Sequence, residues 1–235
     1  MSNNYFSFKQ FTIWQDKSAF KVGTDGVLLG AVTDVSGAKS ILDIGSGTGL
    51  VAIMLAQRCE AEITAIEPDH ESYLQAYSNA RNCKWSNRIM VCETNLQDYC
   101  PDVKFDLIVS NPPYFVDSMQ NPDPRKSAAR HNDSLNSDDL LKGISRLLSN
   151  DGKFQLIMPY VEGNIFIADA QKYGFYCNSI LKIKPLPTAE IRRLILTFGR
   201  NRLKSMEKFL TIERGKRYDF TEDYINLTKD FYLKL

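Results

Sequence analysis

The chain has only two histidines in 235 residues, His70 and His131, too few for a histidine-rich metal centre. Its five cysteines, Cys59, Cys83, Cys92, Cys100 and Cys177, are odd in number and form no Cys-x-x-Cys pair. That argues against a disulfide framework or a zinc ribbon and for reduced thiols, so no metal is expected. No apolar stretch approaches the ~20 residues that a bilayer-spanning helix needs. Met1 to Lys17 is polar and aromatic and carries no apolar signal core, which makes a cytoplasmic location the expectation and a membrane partner unexpected. Internal repeats and low-complexity tracts are also missing, which excludes a solenoid. What is present, 43% hydrophobic residues over this length, suffices for a sizeable core in one α/β domain with additions.

Two stretches carry chemistry. Ser40-Ile41-Leu42-Asp43-Ile44 is an apolar strand, Gly45-Ser46-Gly47-Thr48-Gly49 a glycine-dense turn, and Leu50 to Arg58 a segment with apolar residues at helical spacing. Together they form the opening of a nucleotide-binding βα unit. Leu50 occupies the place where a dinucleotide fingerprint requires its third glycine. Asp43, just before the turn, is placed to accept a hydrogen bond from a ligand ammonium group. These features favour S-adenosylmethionine over a nicotinamide dinucleotide, because its amino-acid end replaces the pyrophosphate that a helix N-terminus would cradle. Glu67 closes a second, β-branched strand, where such folds hold ribose hydroxyls. Asn95 and Asp98 follow a third strand, where a polar side chain would meet the cofactor adenine.

The second stretch is Asn111-Pro112-Pro113-Tyr114, which follows the apolar run Phe105 to Ser110. Two prolines fix their φ angles and remove two N–H donors, leaving the Asn111 side chain and the Asn111 and Pro112 carbonyls as acceptors in a cleft. Such a turn suits a substrate that donates hydrogen bonds, for example an exocyclic amine. Tyr114 adds a face on which a base can stack. The polar segment between Phe115 and Leu135 holds Arg125, Lys126, Arg130 and His131 and is expected to be a lid over the nucleotide.

The net charge of +1 conceals an asymmetry. Lys182 to Arg217 contains eleven basic residues, among them Arg192, Arg193, Arg200 and Arg202, against three glutamates; this segment carries +8 and the remainder −7. A basic C-terminal third on an otherwise acidic chain suggests a phosphate-rich partner.

In order, Asp43 to Gly49, Glu67 and Asn111 to Tyr114 resemble the class I S-adenosylmethionine-dependent methyltransferases that methylate planar nitrogens. Over nearly the whole chain, Phe20-Lys21-Val22-Gly23-Thr24-Asp25-Gly26-Val27-Leu28-Leu29-Gly30-Ala31, Asn111 to Phe115, Ala129-Arg130-His131 and Tyr224…Phe231-Tyr232-Leu233 resemble the bacterial valine-tRNA adenine methyltransferase family. That family methylates N6 of adenosine 37, beside the anticodon. The resemblance implies a tRNA substrate contacted in its anticodon region. It implies cofactor contacts from Thr24, Asp25, Asp43, Gly45, Gly47, Gly49 and Glu67, with Asn111 and Pro112 holding the target amine and Tyr114 stacking on its base. Arg125, Lys126, Arg130, His131, Arg192, Arg193, Arg200 and Arg202 are then candidates for RNA contact. Where the family more often has Asp, this chain has Asn95, and either Asn95 or Asp98 is left to meet the adenine.

The expected fold is a doubly wound, mostly parallel, seven-stranded Rossmann-like sheet. Residues 1–36 form a hairpin-like cover segment, 37–200 the cofactor-binding core and 201–235 a basic extension. Strands are expected near 40–45, 62–67, 88–94, 105–110, 153–158, 176–184 and 191–198, and helices near 49–58, 70–82, 137–148, 163–173 and 221–231. A protein glutamine methyltransferase and a non-catalytic, cofactor-binding RNA-binding protein are the alternatives.

Overall fold

The computed structural model describes residues 3–18, 20–112 and 135–234. Short strands β1 (Tyr5–Ser7) and β2 (Thr12–Trp14) pair as an antiparallel hairpin. Helix α1 (Thr24–Val32) follows. The central sheet is built from β3 (Ser40–Ile44), β4 (Glu62–Glu67), β5 (Ile89–Glu93), β6 (Phe105–Ser110), β7 (Leu148–Pro159), β8 (Tyr176–Lys184), β9 (Arg193–Gly199) and β10 (Met206–Thr211). Helices α2 (Leu50–Arg58), α3 (His70–Arg81), α4 (Ser137–Leu147), α5 (Tyr160–Lys172) and α6 (Glu222–Thr228) complete the described chain. None of these helices is long and apolar enough to cross a membrane.

The eight strands lie in the order β10-β8-β9-β7-β6-β3-β4-β5. Only β9 runs antiparallel to its neighbours; every other pairing is parallel. The sheet has one strand more than the seven expected. The addition, β10, comes from the expected basic extension, which thereby becomes part of the sheet. Chain order reverses between β3 and β6, so the crevice beyond their carboxyl ends is a topological switch point, where open α/β sheets bind ligands.

Strand side chains alternate between two cores. Ile41, Leu107, Val109, Ile157 and Ile195 face the layer containing α1, α2 and the hairpin. Leu42, Ile108, Leu156, Leu196 and Phe198 face Leu140, Ile144 and Phe166 of α4 and α5. On this second side Phe154 stacks on Phe198 with centroids 4.6 Å apart. Burial on both faces explains why these strands read as continuous apolar runs.

Local signals set the helix ends. Asp69 caps α3 through Ser72 N, and Thr221 caps α6 through Tyr224 N. The cap of α4 is Asn136, whose side chain accepts from Asp139 N at 2.8 Å, and Ser137 is the first helical residue. The C-terminal segment returns to the start of the chain, where Lys9 N donates to Phe231 O at 2.7 Å.

Helix α1 was not expected within the cover segment. Its Gly26 and Gly30 weaken helix propensity, yet at four-residue spacing both fall on the face packed against α2. A Cβ on Gly30 would lie 2.8 Å from the Met54 side chain. Gly30→Ala is therefore expected to destabilise the wild-type chain by about 1–3 kcal/mol through overpacking. In a Met54→Ala background the same change should reverse sign, gaining up to roughly 1 kcal/mol from helix propensity. Denaturant unfolding of the four chains checks the reversal.

Candidate active site

The carboxyl ends of the parallel strands bring together the glycine turn after β3, Glu67 at the end of β4, the Asn95–Asp98 turn after β5, and Asn111 with Pro112 after β6. Gly45, Gly47 and Gly49 all have positive φ. Among the described residues, a Cβ on Gly45 or Gly47 would meet nothing within 4 Å, whereas one on Gly49 would lie 3.4 Å from Ala76 of α3. The first two glycines therefore face open space among the described residues, while the third also packs closely against α3. Between them the Ser46 hydroxyl is buried and makes no hydrogen bond within the described structure, an unusual cost unless a ligand completes it.

Glu67 is buried beside this turn. Its Oε2 accepts from Gly47 N at 2.7 Å and its Oε1 from Asp69 N at 3.1 Å. Desolvation raises its pKa above the ordinary carboxylate range, the two amide bonds opposing the shift. Two oxygens joined to backbone amides retain lone pairs for a vicinal diol. The open glycine face, the orphan serine hydroxyl and this carboxylate fit the sugar and amino-acid portions of S-adenosylmethionine.

Asp43 departs from expectation. It is 1% exposed, sealed beneath the turn, and its Oδ2 accepts from Ala52 N in the first turn of α2 at 3.1 Å. It caps the helix from below, so it shapes the turn and is not placed as an exposed acceptor for an ammonium group. Burial, with a smaller contribution from the Glu67 charge, raises its pKa to about 7, while the Ala52 amide opposes the rise.

Asn95 and Asp98 hold each other. Asp98 N donates to Asn95 Oδ1 and Asn95 Nδ2 donates to Asp98 Oδ2, both at 2.8 Å. The turn is exposed, and the pair presents one joined polar surface at the β5 end. Arg146, which sequence inspection missed, braces the turn from α4 by donating to the carbonyls of Leu96 (2.7 Å) and Tyr99 (2.5 Å). Asn79 was missed as well. This buried α3 residue accepts from Trp14 N and donates to the carbonyls of Trp14 and Thr48, joining the hairpin to the glycine turn. Only a tertiary contact reveals either role.

Asn111 is half-buried and Pro112 buried. Pro113, Tyr114, Arg125, Lys126, Arg130 and His131 lie outside the described residues. Thr24 is exposed at the start of α1. Asp25 is paired with Arg193, Oδ2 to Nε 2.8 Å, so the expected cofactor contact and the expected phosphate contact engage each other.

The basic third is divided by the direction of β9. Arg192 and Arg193 stand at the carboxyl edge, Arg193 opposite Ile183 and Pro159. Antiparallel β9 then carries Arg200 and Arg202 to the opposite edge, roughly 20 Å away at ~3.4 Å per residue. There Arg200 donates to Ser145 O at 3.0 Å and its guanidinium lies 4.8 Å from the centre of the Phe175 ring, while the Arg202 guanidinium lies 5.9 Å from that of Tyr176. These two arginines are not brought to the site, because adjacency in sequence does not survive a reversal of strand direction.

A family model described as "Methyltransferase small domain" matches residues 20–158. The chain is 42% identical over 238 residues to a protein of Parabacteroides distasonis, and 45% identical over 237 residues to one of Bacteroides thetaiotaomicron. Both matches cover 100% of each chain, and both proteins are named tRNA1(Val) (adenine(37)-N6)-methyltransferase. Among solved structures, a predicted O-methyltransferase of Agrobacterium tumefaciens superposes with a TM-score of 0.67 at 22% identity, covering 88% of this chain and 96% of that one; this likeness concerns the fold.

The buried carboxyl of Asp43 gives a pH test. Its folded pKa is raised, so the stability associated with the protonated group is complete below about pH 4 and is lost as pH rises through about 7. Wild type should lose stability relative to Asp43→Asn, which keeps an acceptor for Ala52 N, between about pH 4 and about pH 7. Denaturant midpoints across that range measure the gap; a gap independent of pH would refute desolvation of this carboxyl.

Proposed function

The chain belongs to the methyltransferase small-domain family, and from that premise we propose that it transfers a methyl group from S-adenosylmethionine to N6 of an adenosine in tRNA, adenosine 37 of valine tRNA. The single observation that carries this reading is that Asn111 and Pro112 leave the carboxyl end of β6 next to the glycine turn, which leaves the same end of the adjacent parallel strand β3, with Ile44 level with Ser110. Full-length similarity to the tRNA1(Val) adenine-37 enzymes supports the choice of substrate. The reaction belongs in the cytoplasm, where tRNA is modified.

When bound, the cofactor supplies a methyl group already made electrophilic by its sulfonium. An adenine amine is a poor nucleophile because its lone pair is delocalised into the ring. The Asn111 carboxamide oxygen and the Pro112 carbonyl accept hydrogen bonds from its two N–H groups and favour a pyramidal nitrogen, whose surplus proton passes to water once the methyl group is on, and Tyr114 replaces the stacking that the base loses on leaving its neighbours. Holding the amine in line supplies much of the acceleration, so no dedicated general base is required. Gly45, Gly47, Ser46 and Glu67 hold the cofactor, the Asn95–Asp98 turn faces its adenine, and Asp43 acts through the turn it caps.

Asn111→Ala should lower single-turnover methyl transfer to an unmodified anticodon stem-loop by about a hundredfold or more, with cofactor affinity kept within about twofold. Asn111→Asp keeps an acceptor but places a negative charge near the sulfonium, which favours the bound cofactor over the charge-dispersed transition state. It should be slower than wild type and faster than Asn111→Ala. Near-normal turnover in Asn111→Ala would remove the side chain from the chemistry.

A further inference from the structure

Beyond β10 the chain makes a tight excursion, Arg214 to Asp219, before entering α6. Strand β10 runs parallel to β8, with Thr211 level with Lys184, and β8 points the same way as β7 and β6 through the intervening antiparallel β9. The excursion therefore projects from the same edge of the sheet as the glycine turn and Asn111. Four strand spacings separate β10 from β6, a lateral distance of roughly 19 Å at ~4.8 Å each.

The excursion is a built structure. Arg214 N donates to Asp219 O at 2.8 Å, Asp219 N donates to Lys216 O at 3.0 Å, and Glu213 bridges Phe220 at its base. Arg214, Lys216 and Arg217 are exposed, and nearby Glu213 spends Oε1 on Tyr218 N at 2.8 Å. Tyr218 supplies a separate observation. At 68% it is the most exposed large hydrophobic side chain among the described residues. It is also their only non-glycine residue with a positive φ, 68°, a conformation in which glycine or asparagine would cost less. The Arg217 guanidinium lies 4.8 Å from the centre of its ring. The ring keeps only an edge contact with Phe220, centroids 6.4 Å apart, and a strained, mostly exposed tyrosine in a loop whose exposed charged residues are Arg214, Lys216, Arg217 and one acid, Asp219, matches a phosphate backbone with a base or sugar to stack on.

We propose that the Arg214–Tyr218 loop is a second RNA-binding contact, gripping the duplex stem that flanks the target nucleotide while the unstacked base occupies the crevice at Asn111. The proposal rests on the tRNA reading above and adds to it the surface that orients the stem. The separation from the crevice corresponds to on the order of six base pairs of duplex, so the loop meets the flanking stem and not the nucleotide being methylated. Lys216 and Arg214 hold phosphates, and Arg217 keeps the Tyr218 ring presented.

Direct binding of unmodified valine tRNA to the full chain, measured as a function of salt, tests this separately from methyl transfer. Arg214→Ala/Lys216→Ala/Arg217→Ala should weaken binding about tenfold or more and reduce the salt slope by about two, with cofactor affinity unchanged. Tyr218→Gly should weaken binding about fivefold while leaving the melting temperature equal or higher, and Tyr218→Phe should bind within about twofold of wild type. Arg202→Ala/Lys204→Ala, at the opposite edge, is the control for bulk charge and should bind as wild type. Unchanged binding in the triple variant, or an equal loss in the control pair, overturns the proposal, as does tighter capture of an acidic protein than of tRNA by the same loop. Intact, loop-dependent tRNA binding without methyl transfer would refute the activity and leave the contact standing.

Discussion

The hydrogen bond from the Ala52 amide to the buried Asp43 carboxylate is the contact on which the site depends. It ties the end of β3 to the first turn of α2 from beneath, and so holds the intervening glycine turn in its left-handed bends. The arrangement is costly for a carboxylate, which loses its hydration, and the raised pKa measures that cost. A helix N-terminus offsets part of it by supplying unpaired amide donors. With the turn fixed from below, no described residue covers its upper face at Gly45 and Gly47, and the neighbouring strand brings Glu67 against it from the side.

Second contacts lock this unit to its surroundings. Asn79 uses both atoms of its amide to join the turn to the N-terminal hairpin, and Arg146 uses its guanidinium to hold the Asn95–Asp98 turn at the next strand end. Neither side chain points into the crevice. Both fix backbone segments that do border it, which is how a site is kept rigid enough for in-line positioning to matter. Farther along the same edge, Arg193 is paired with Asp25 and links the antiparallel strand to the start of α1, so this arginine contributes to architecture beside the site.

Much of this was legible in the sequence wherever local pattern and burial agree. Ser40–Ile44 and Glu62–Glu67 are apolar runs because they are covered on both faces, and their ends were readable from glycine and proline. Helix α1 was hidden because Gly26 and Gly30 read as breakers until α2 is seen packed against them. Strand β10 was hidden because Met206 to Phe209 are all exposed, as an edge strand permits, and so carry no apolar alternation. The contact of Asp43 with the terminus of α2 was not legible because a strand-end acid looks the same in sequence whether it faces a ligand or a helix terminus. The basic third looked like one patch because nothing local reveals that β9 reverses direction and sends Arg200 and Arg202 away from Arg192.

The proposed reaction places a methyl group on one nitrogen of one kind of substrate. Incubating the protein with methyl-labelled S-adenosylmethionine and tRNA lacking the modification, then digesting to nucleosides and mapping the label, tests it most directly. Label is expected in N6-methyladenosine at position 37 of valine tRNA, and none in added protein. Label in glutamine side chains, or in tRNA at a nucleoside other than N6-methyladenosine, would contradict it.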